Sequence, residues 1–190
     1  MITLITMVLN GGCYLKRLLE STKNLVSKTI ILDTGSTDNT RSIAESYGVE
    51  LIYHHLPWSP GIFSEGKNLL LSYVTTPWTL NLDVDEELSE ELSNTIRKTV
   101  HGTNNLLLAK RLSFVKDGGT IKEYIGVLFK TKEFYFDHSD YHSNVAPKNK
   151  AMVAITQEPI YHLGWFFLTE KELQEKRLRY KDNYKEFNNG

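Results

Sequence analysis

Three short apolar runs, Ile2 to Leu9, Thr29 to Leu32 and Val49 to Tyr53, are separated by segments whose apolar residues recur at helical spacing. The first intervening segment carries Tyr14, Leu15, Leu18, Leu19, Thr22 and Leu25; the second carries Ile43, Ala44 and Tyr47 and is closed by Gly48. Runs this short and this apolar read as buried strands, and strand alternating with helix predicts a parallel sheet covered by helices. In such sheets ligands bind beyond the carboxyl ends of the strands. That rule places Asn10, the loop Asp33 to Asp38 and the segment Asp83 to Glu86 along one rim.

The last of these is the most unusual stretch. After Trp78 an apolar run, Thr79-Leu80-Asn81-Leu82, ends in Asp83-Val84-Asp85-Glu86-Glu87. Asp83 and Asp85, two residues apart at a strand terminus, can reach the same side once the chain turns. Two carboxylates that close repel unless a cation is near, typically a hard divalent ion with positions open for substrate phosphates. A second reading of the same residues is a helix start, since Asp85, Glu86 and Glu87 precede Leu88, Leu92 and Ile96 and acids favour a first helical turn. The two readings are compatible.

Further along, Pro57, Trp58 and Pro60 suggest an irregular loop, and Phe63 to Val74 reads as a helix. Gly61 to Asn68 nearly matches a phosphate-cradling loop, but Asn68 replaces the magnesium-binding Ser or Thr and no strand leads into it. Lys67 is expected to meet a phosphate across the rim or to be a solvated helical lysine. Leu88 to Val100 reads as a helix. Leu106 to Phe114, a turn at Asp117-Gly118-Gly119 and Ile121 to Lys130 read as an antiparallel pair, followed by a short strand Phe134 to Phe136. The polar segment Asp137 to Asn144 offers two acids and two histidines for a general base, or is a surface loop. His162 stands isolated among apolar residues beside Gly164 and Trp165, as a core histidine or a cleft wall. From Thr169 a charged segment predicts a solvated helix with a thin apolar seam.

Composition narrows the classes. An apolar fraction of 41% with 24% charged residues describes a folded globular chain, and a net charge of −1 disfavours nucleic acid as a partner. The single cysteine, Cys13, excludes an intramolecular disulfide and is expected to be a buried or helix-start thiol. No apolar run reaches the length of a membrane span, and the first residues lack a basic leader and a cleavage site, so a cytoplasmic protein is expected.

Asp33-Thr34-Gly35-Ser36-Thr37-Asp38 after a buried strand, Phe63-Ser64 with Lys67-Asn68, and Asp83-Val84-Asp85-Glu86 together resemble glycosyltransferase family two, the inverting nucleotide-sugar transferases of GT-A fold. The likeness runs from Ile2 to about Ile96 and recurs at Tyr161-His162-Leu163-Gly164. It implies an α/β fold with a Rossmann-like, mostly parallel central sheet flanked by helices and a small antiparallel element in the second half. One domain over 1–190 is expected, with 1–86 holding the nucleotide-sugar, 87–168 the acceptor and 169–190 forming a C-terminal helix and tail.

The resemblance also implies roles. Asn10, Asp33, Gly35, Ser36 and Asp38 would hold the nucleoside, with Asp33 the first candidate for contact with base or ribose. Lys67, where the family usually has Arg, and Asp83 would meet the donor phosphates. Asp85, assisted by Asp83 and with His162 beside them, would bind Mn²⁺ or Mg²⁺. The family's base is often a Glu directly after a His; here Tyr141-His142-Ser143 lacks it, so Asp140 is the first candidate and Asp137 the second. The implied partners are a nucleotide-diphosphate sugar, UDP-sugar favoured, and a glycan, lipid-linked or protein-linked acceptor. Two alternatives stay open: a phosphatase of haloacid-dehalogenase type using Asp83, and a nucleotide-sugar or glycan-binding module without catalysis.

Overall fold

The first strand, β1 (Ile2–Val8), is buried almost throughout, because it lies in the middle of a sheet with helices on both faces. It is followed by α1 (Gly12–Thr22), β2 (Lys28–Asp33), α2 (Thr40–Ser46), β3 (Glu50–Tyr53), α3 (Ile62–Ser72), β4 (Trp78–Asn81), β5 (Glu86–Leu88) and α4 (Glu90–Thr99). The second half contributes β6 (Leu106–Phe114), β7 (Thr120–Lys130), a 3-10 turn at Thr131–Glu133, β8 (Phe134–Phe136), β9 (Val145–Pro147) and β10 (Val153–His162). The structure, a computed structural model, describes residues 1–56, 61–114, 119–137 and 144–164. The loop around Trp58, the turn at Asp117-Gly118, the candidate base Asp140 and the expected helix from Thr169 lie outside the described residues.

Eight strands form one sheet in the order β3-β2-β1-β4-β7-β6-β10-β5. The first four neighbours are parallel, as the alternation of strand and helix predicts; β7 runs antiparallel to β4 and β6, and β10 is parallel to β6. A separate antiparallel pair, β8 with β9, is the small element expected in the second half. Register aligns Val8 with Asp33 and Ile5 with Asn81, so β1, β2 and β4 all end on the same side.

Burial follows from the helical spacing. Leu15 and Leu18 of α1 are fully buried, each contributing about 1.5–3 kcal/mol through removal from water. Leu18 joins Leu4, Leu80, Leu92 and Ile96 in the core beneath α1 and α4; on the other face Leu70 of α3 packs with Ile5, Leu32 and Phe129. Cys13 sits in the first turn of α1 and is exposed. Among the described residues no helix is long and apolar enough to cross a membrane.

The acidic stretch does not open a helix directly. Glu86–Leu88 instead pair antiparallel with His162, Tyr161 and Ile160 of β10, and α4 starts one residue later under a Ser89 cap whose Oγ accepts the Leu92 N–H at 3.1 Å. Glu90 and Glu91 occupy the first turn, where the helix dipole favours acids. The reason for the shift is that β10 offers an edge to pair with, which outweighs local propensity.

α3 and the second half meet through a side-chain clasp. Asn68 donates through Nδ2 to the Phe136 carbonyl at 2.7 Å and accepts the Phe136 N–H on Oδ1 at 2.9 Å, pairing with β8 as a strand would. Phe136 and Phe134 in turn pack on Phe129 at ring separations of 5.7 Å. Asn68→Ala strips both partners from a buried backbone unit, and we expect it to lower the unfolding free energy by about 1–3 kcal/mol in a urea titration. An unchanged midpoint would mean that the clasp adds nothing to stability.

Candidate functional site

The two loops that leave β1 and β2 are bound to each other before any ligand is considered. The Asn10 N–H donates to Ser36 Oγ at 2.9 Å, and Asn10 Oδ1 accepts the Thr37 N–H at 2.8 Å. Asn10 holds a left-handed backbone with φ of 53°, a conformation asparagine tolerates better than most residues. The first N–H groups of α1 have no partner within their own helix. Gly11 N–H donates instead to Thr40 Oγ1 at 3.0 Å and Gly12 N–H to Asp38 Oδ2 at 3.0 Å. A Cβ on Gly12 would collide with the Asn39 side chain, so glycine is what lets the loops approach.

Asp33 is buried and used on both oxygens. Its Oδ1 accepts the N–H groups of Gly35 at 3.0 Å and Ser36 at 2.7 Å, and its Oδ2 accepts Arg41 Nε at 2.9 Å. Burial pushes the Asp33 carboxyl up, but the Ser36 and Gly35 amides and the Arg41 guanidinium together hold it below its ordinary value. Gly35, with φ of 126°, turns the chain so that those amides point at the carboxylate. Arg41 also lies over the Tyr53 ring, 4.4 Å from its centroid. Asp38 is engaged likewise: burial raises its pKa, while the Thr40 hydroxyl and the Gly12 and Thr40 amides lower it further. Asp33 and Asp38 therefore shape the loops, and Asn10, Gly35 and Ser36 form the wall between them.

At the end of β4 the acidic turn meets cations from two directions. Lys67 of α3 is buried, donates to Asp83 Oδ1 at 2.9 Å and lies 5.7 Å from the Phe136 ring centroid. Arg111 of β6 reaches Glu86 Oε1 at 3.3 Å, stands 3.7 Å from Asp83 Oδ2 and binds Glu123 Oε1 at 2.7 Å. The turn is tied internally as well, since the Asp83 N–H donates to Glu86 Oε2 at 2.9 Å. Desolvation raises the Asp83 pKa, but Lys67 first and Arg111 next bring it down to about 2. Glu86, buried beside Asp83, goes the other way and is pushed up to about 7 by burial and by the Asp83 charge. The solvated helical lysine expected as one reading of Lys67 is thus replaced by a buried lysine paired with a half-exposed carboxylate.

Asp85 meets the end of β10. Its Oδ2 is 3.4 Å from His162 Nε2, and its carbonyl accepts the Leu163 N–H at 2.8 Å. Burial lowers the His162 pKa, but the hydrogen bond and charge of Asp85, with the charge of Glu86, outweigh it and raise the value. A Cβ on Gly164 would run into the Asp85 carboxylate, so that glycine leaves the acid its place.

Carboxylate oxygen and imidazole nitrogen on adjacent elements suit a hard or borderline divalent cation. Among the described residues no group of three His, Cys, Asp or Glu side chains is arranged as a metal cage. Asp85 and His162 fit a cation that draws its other ligands from phosphate and water, as Mg²⁺ commonly does. Asp83, held by Lys67, is less available to it.

Of the two candidate bases only Asp137 is described. Its N–H donates to the Asn144 carbonyl at 3.0 Å and its Oδ1 accepts the Asn144 N–H at 3.3 Å, so the ends of the intervening segment meet. The Ser64 hydroxyl donates to the Asp137 carbonyl. Arg111, Ser113 and Glu123 escaped the sequence reading, because none of them stands at a fixed spacing to any motif.

Comparison with known proteins follows the same outline. Residues 3–157 match the family described as Glycosyl transferase family 2. An uncharacterized glycosyltransferase of Rickettsia felis is 39% identical over 87 residues, 46% of this chain and 29% of the relative. A lipopolysaccharide core biosynthesis glycosyltransferase, LpsC, of Rhizobium meliloti is 28% identical over 102 residues, 52% of this chain and 37% of the relative. The match thus spans about a third of the length of these curated relatives. Among solved structures, S. aureus TarS residues 1–349 superposes with a TM-score of 0.61 at 16% identity, covering 84% of this chain and 59% of that one. The same protein in complex with UDP-GlcNAc gives a TM-score of 0.55 over 92% of this chain and 63% of that one. At such identity the likeness is one of fold, GT-A.

The Asp33 geometry makes a prediction about acid stability. Its folded pKa lies below the unfolded value of about 3.9, so the stabilisation is fully present above that pH and is lost as pH falls through the folded value. We expect Asp33→Asn to cost about 1.5–3 kcal/mol at pH 7 and the gap from the wild type to narrow at pH 3, read by urea unfolding at both pH values. A gap of equal size at both would show that the charge of Asp33 is not what holds the loop.

Proposed function

Because the chain belongs to glycosyl transferase family 2, we propose that it moves a sugar from a nucleoside-diphosphate donor to an acceptor hydroxyl, inverting the sugar carbon with the help of Mn²⁺ or Mg²⁺. The observation that carries the reading is the meeting of Lys67, Arg111, Asp83, Asp85 and His162 at the end of β4, beside the loops that end β1 and β2. The TarS complex with UDP-GlcNAc, on the shared fold, supports a UDP-sugar as donor. The R. meliloti lipopolysaccharide enzyme supports a glycan as acceptor. Family membership sets aside the phosphatase reading of Asp83, and the paired acids of the turn favour an enzyme over a defunct binder.

Each residue has a task in this chemistry. The Asn10, Gly35 and Ser36 wall would receive the nucleoside, with Asp33 and Asp38 keeping it in shape. Departure of a nucleoside diphosphate builds negative charge on the leaving oxygen, and preplaced cations stabilise that charge in a partly desolvated cleft. Lys67 and Arg111 are already oriented there by Asp83 and Glu86. Asp85 and His162 would hold the divalent ion, which when bound supplies further neutralisation of the diphosphate. A carboxylate must take the acceptor proton. We assign this to Asp140 before Asp137, because the Asp137 side chain is occupied with Asn144. The division into a donor half, 1–86, and an acceptor half, 87–168, belongs to the same proposal.

A thermal-shift experiment with UDP and UDP-sugars, in Mn²⁺ or in chelator, tests the donor site, since a ligand binding only the native state raises the apparent melting temperature. We expect stabilisation that chelator removes and that Asp85→Ala abolishes, each ligand effect being read against the ligand-free melting temperature of the same variant. Equal stabilisation of Asp85→Ala would overturn the assignment of Asp85. For the base, Asp140→Asn should reduce turnover about 10²-fold or more and leave UDP-sugar binding unchanged. Full activity of that variant would transfer the role to Asp137.

A further inference from the structure

We propose that Ser113 is a positioning residue that fixes the His162 ring so that Nε2 stays on Asp85, and thereby sets the affinity of the site for a divalent cation. The inference rests on the assignment of Asp85 and His162 as cation ligands. Ser113 is only 6% exposed, near the end of β6, and is the direct ladder partner of His162 across the parallel β6–β10 pair. Its Oγ is 3.0 Å from His162 Nδ1, while the opposite edge of the ring places Nε2 3.4 Å from Asp85 Oδ2. The imidazole is thus gripped at both nitrogens, by β6 on one side and by the acidic turn on the other.

The grip matters because an imidazole torsion is broad and nearly two-fold. A half-turn of the ring would swap nitrogen for carbon on the Asp85 side. A serine hydroxyl both donates and accepts, so it can accept an Nδ1–H and leave the Nε2 lone pair for a cation beside Asp85. Partners of this kind, one bond behind a ligand, set tautomer and orientation, and losing them typically weakens metal affinity about 10–100-fold. The backbone cooperates: the Leu163 N–H holds the Asp85 carbonyl, and Gly164 leaves room for the carboxylate, so ring and acid are placed by the same end of β10.

The test titrates Mn²⁺ in the presence of UDP, followed by electron paramagnetic resonance, in the wild type, Ser113→Ala, Ser113→Thr, His162→Ala and the double variant. We expect Ser113→Ala to weaken Mn²⁺ binding about 10-fold or more, Ser113→Thr to restore it, and Ser113→Ala to change nothing once His162 is gone. Wild-type affinity in Ser113→Ala, or an equal loss with and without His162, would overturn the proposal. If Ser113→Ala does not fold, Ser113→Cys, with its weak acceptor, takes its place under the same criteria. If the wild type itself binds no Mn²⁺, the cation assignment fails, and metal-free crystal structures decide the positioning role alone. A His162 ring turned away from Asp85 in Ser113→Ala supports it, and an unmoved ring overturns it.

Discussion

Three carboxylates lie within four residues at the end of β4, and the rest of the site depends on how their charge is balanced. Asp83 takes Lys67 from α3, Glu86 takes Arg111 from β6, and Asp85 takes His162 from β10. Buried charge without a partner is costly, so each of these elements must be in place for the turn to hold its shape. The balance is uneven. Asp83 is driven down to about 2 and Glu86 up to about 7, so neighbouring acids on one turn differ widely in their readiness to ionise.

The sheet was legible because its evidence is local. Apolar runs ending in polar loops mark β1, β2 and β4, and a ligand rim follows from parallel strands ending together. β10 was missed for an equally local reason. Pro159 interrupts the alternation from Val153, and the ladder with β6 does slip between Ile155 and Pro159, where a bulge accommodates the proline. β5 was hidden by residues that favour a helix start, and only its pairing with β10 reveals it.

The site shows a different limit. Residue type pointed to Asp33 and Asp38, and both do stand at the rim, where they accept amides of their own and the neighbouring loop, the Arg41 guanidinium and the Thr40 hydroxyl. Sequence reports that a carboxylate is present; only geometry reports what it has already bound. Arg111 and Ser113 illustrate the converse. Neither belongs to a spaced motif, and their importance comes from strands that meet them from far away in the chain.

Those two residues share one face of β6, since side chains alternate along a strand and they are two apart. One secures Asp83 and Glu86 and the other His162, while β7 returns Glu123 to the same guanidinium. The antiparallel pair β6 and β7 is therefore also the support of the acidic turn. Movement of β6 relative to β4 would loosen the Arg111 and Ser113 contacts together, and the antiparallel strand β7, paired to both, resists it. In the proposed division of the chain, the acceptor half supplies Arg111 and Ser113 as struts of the donor site.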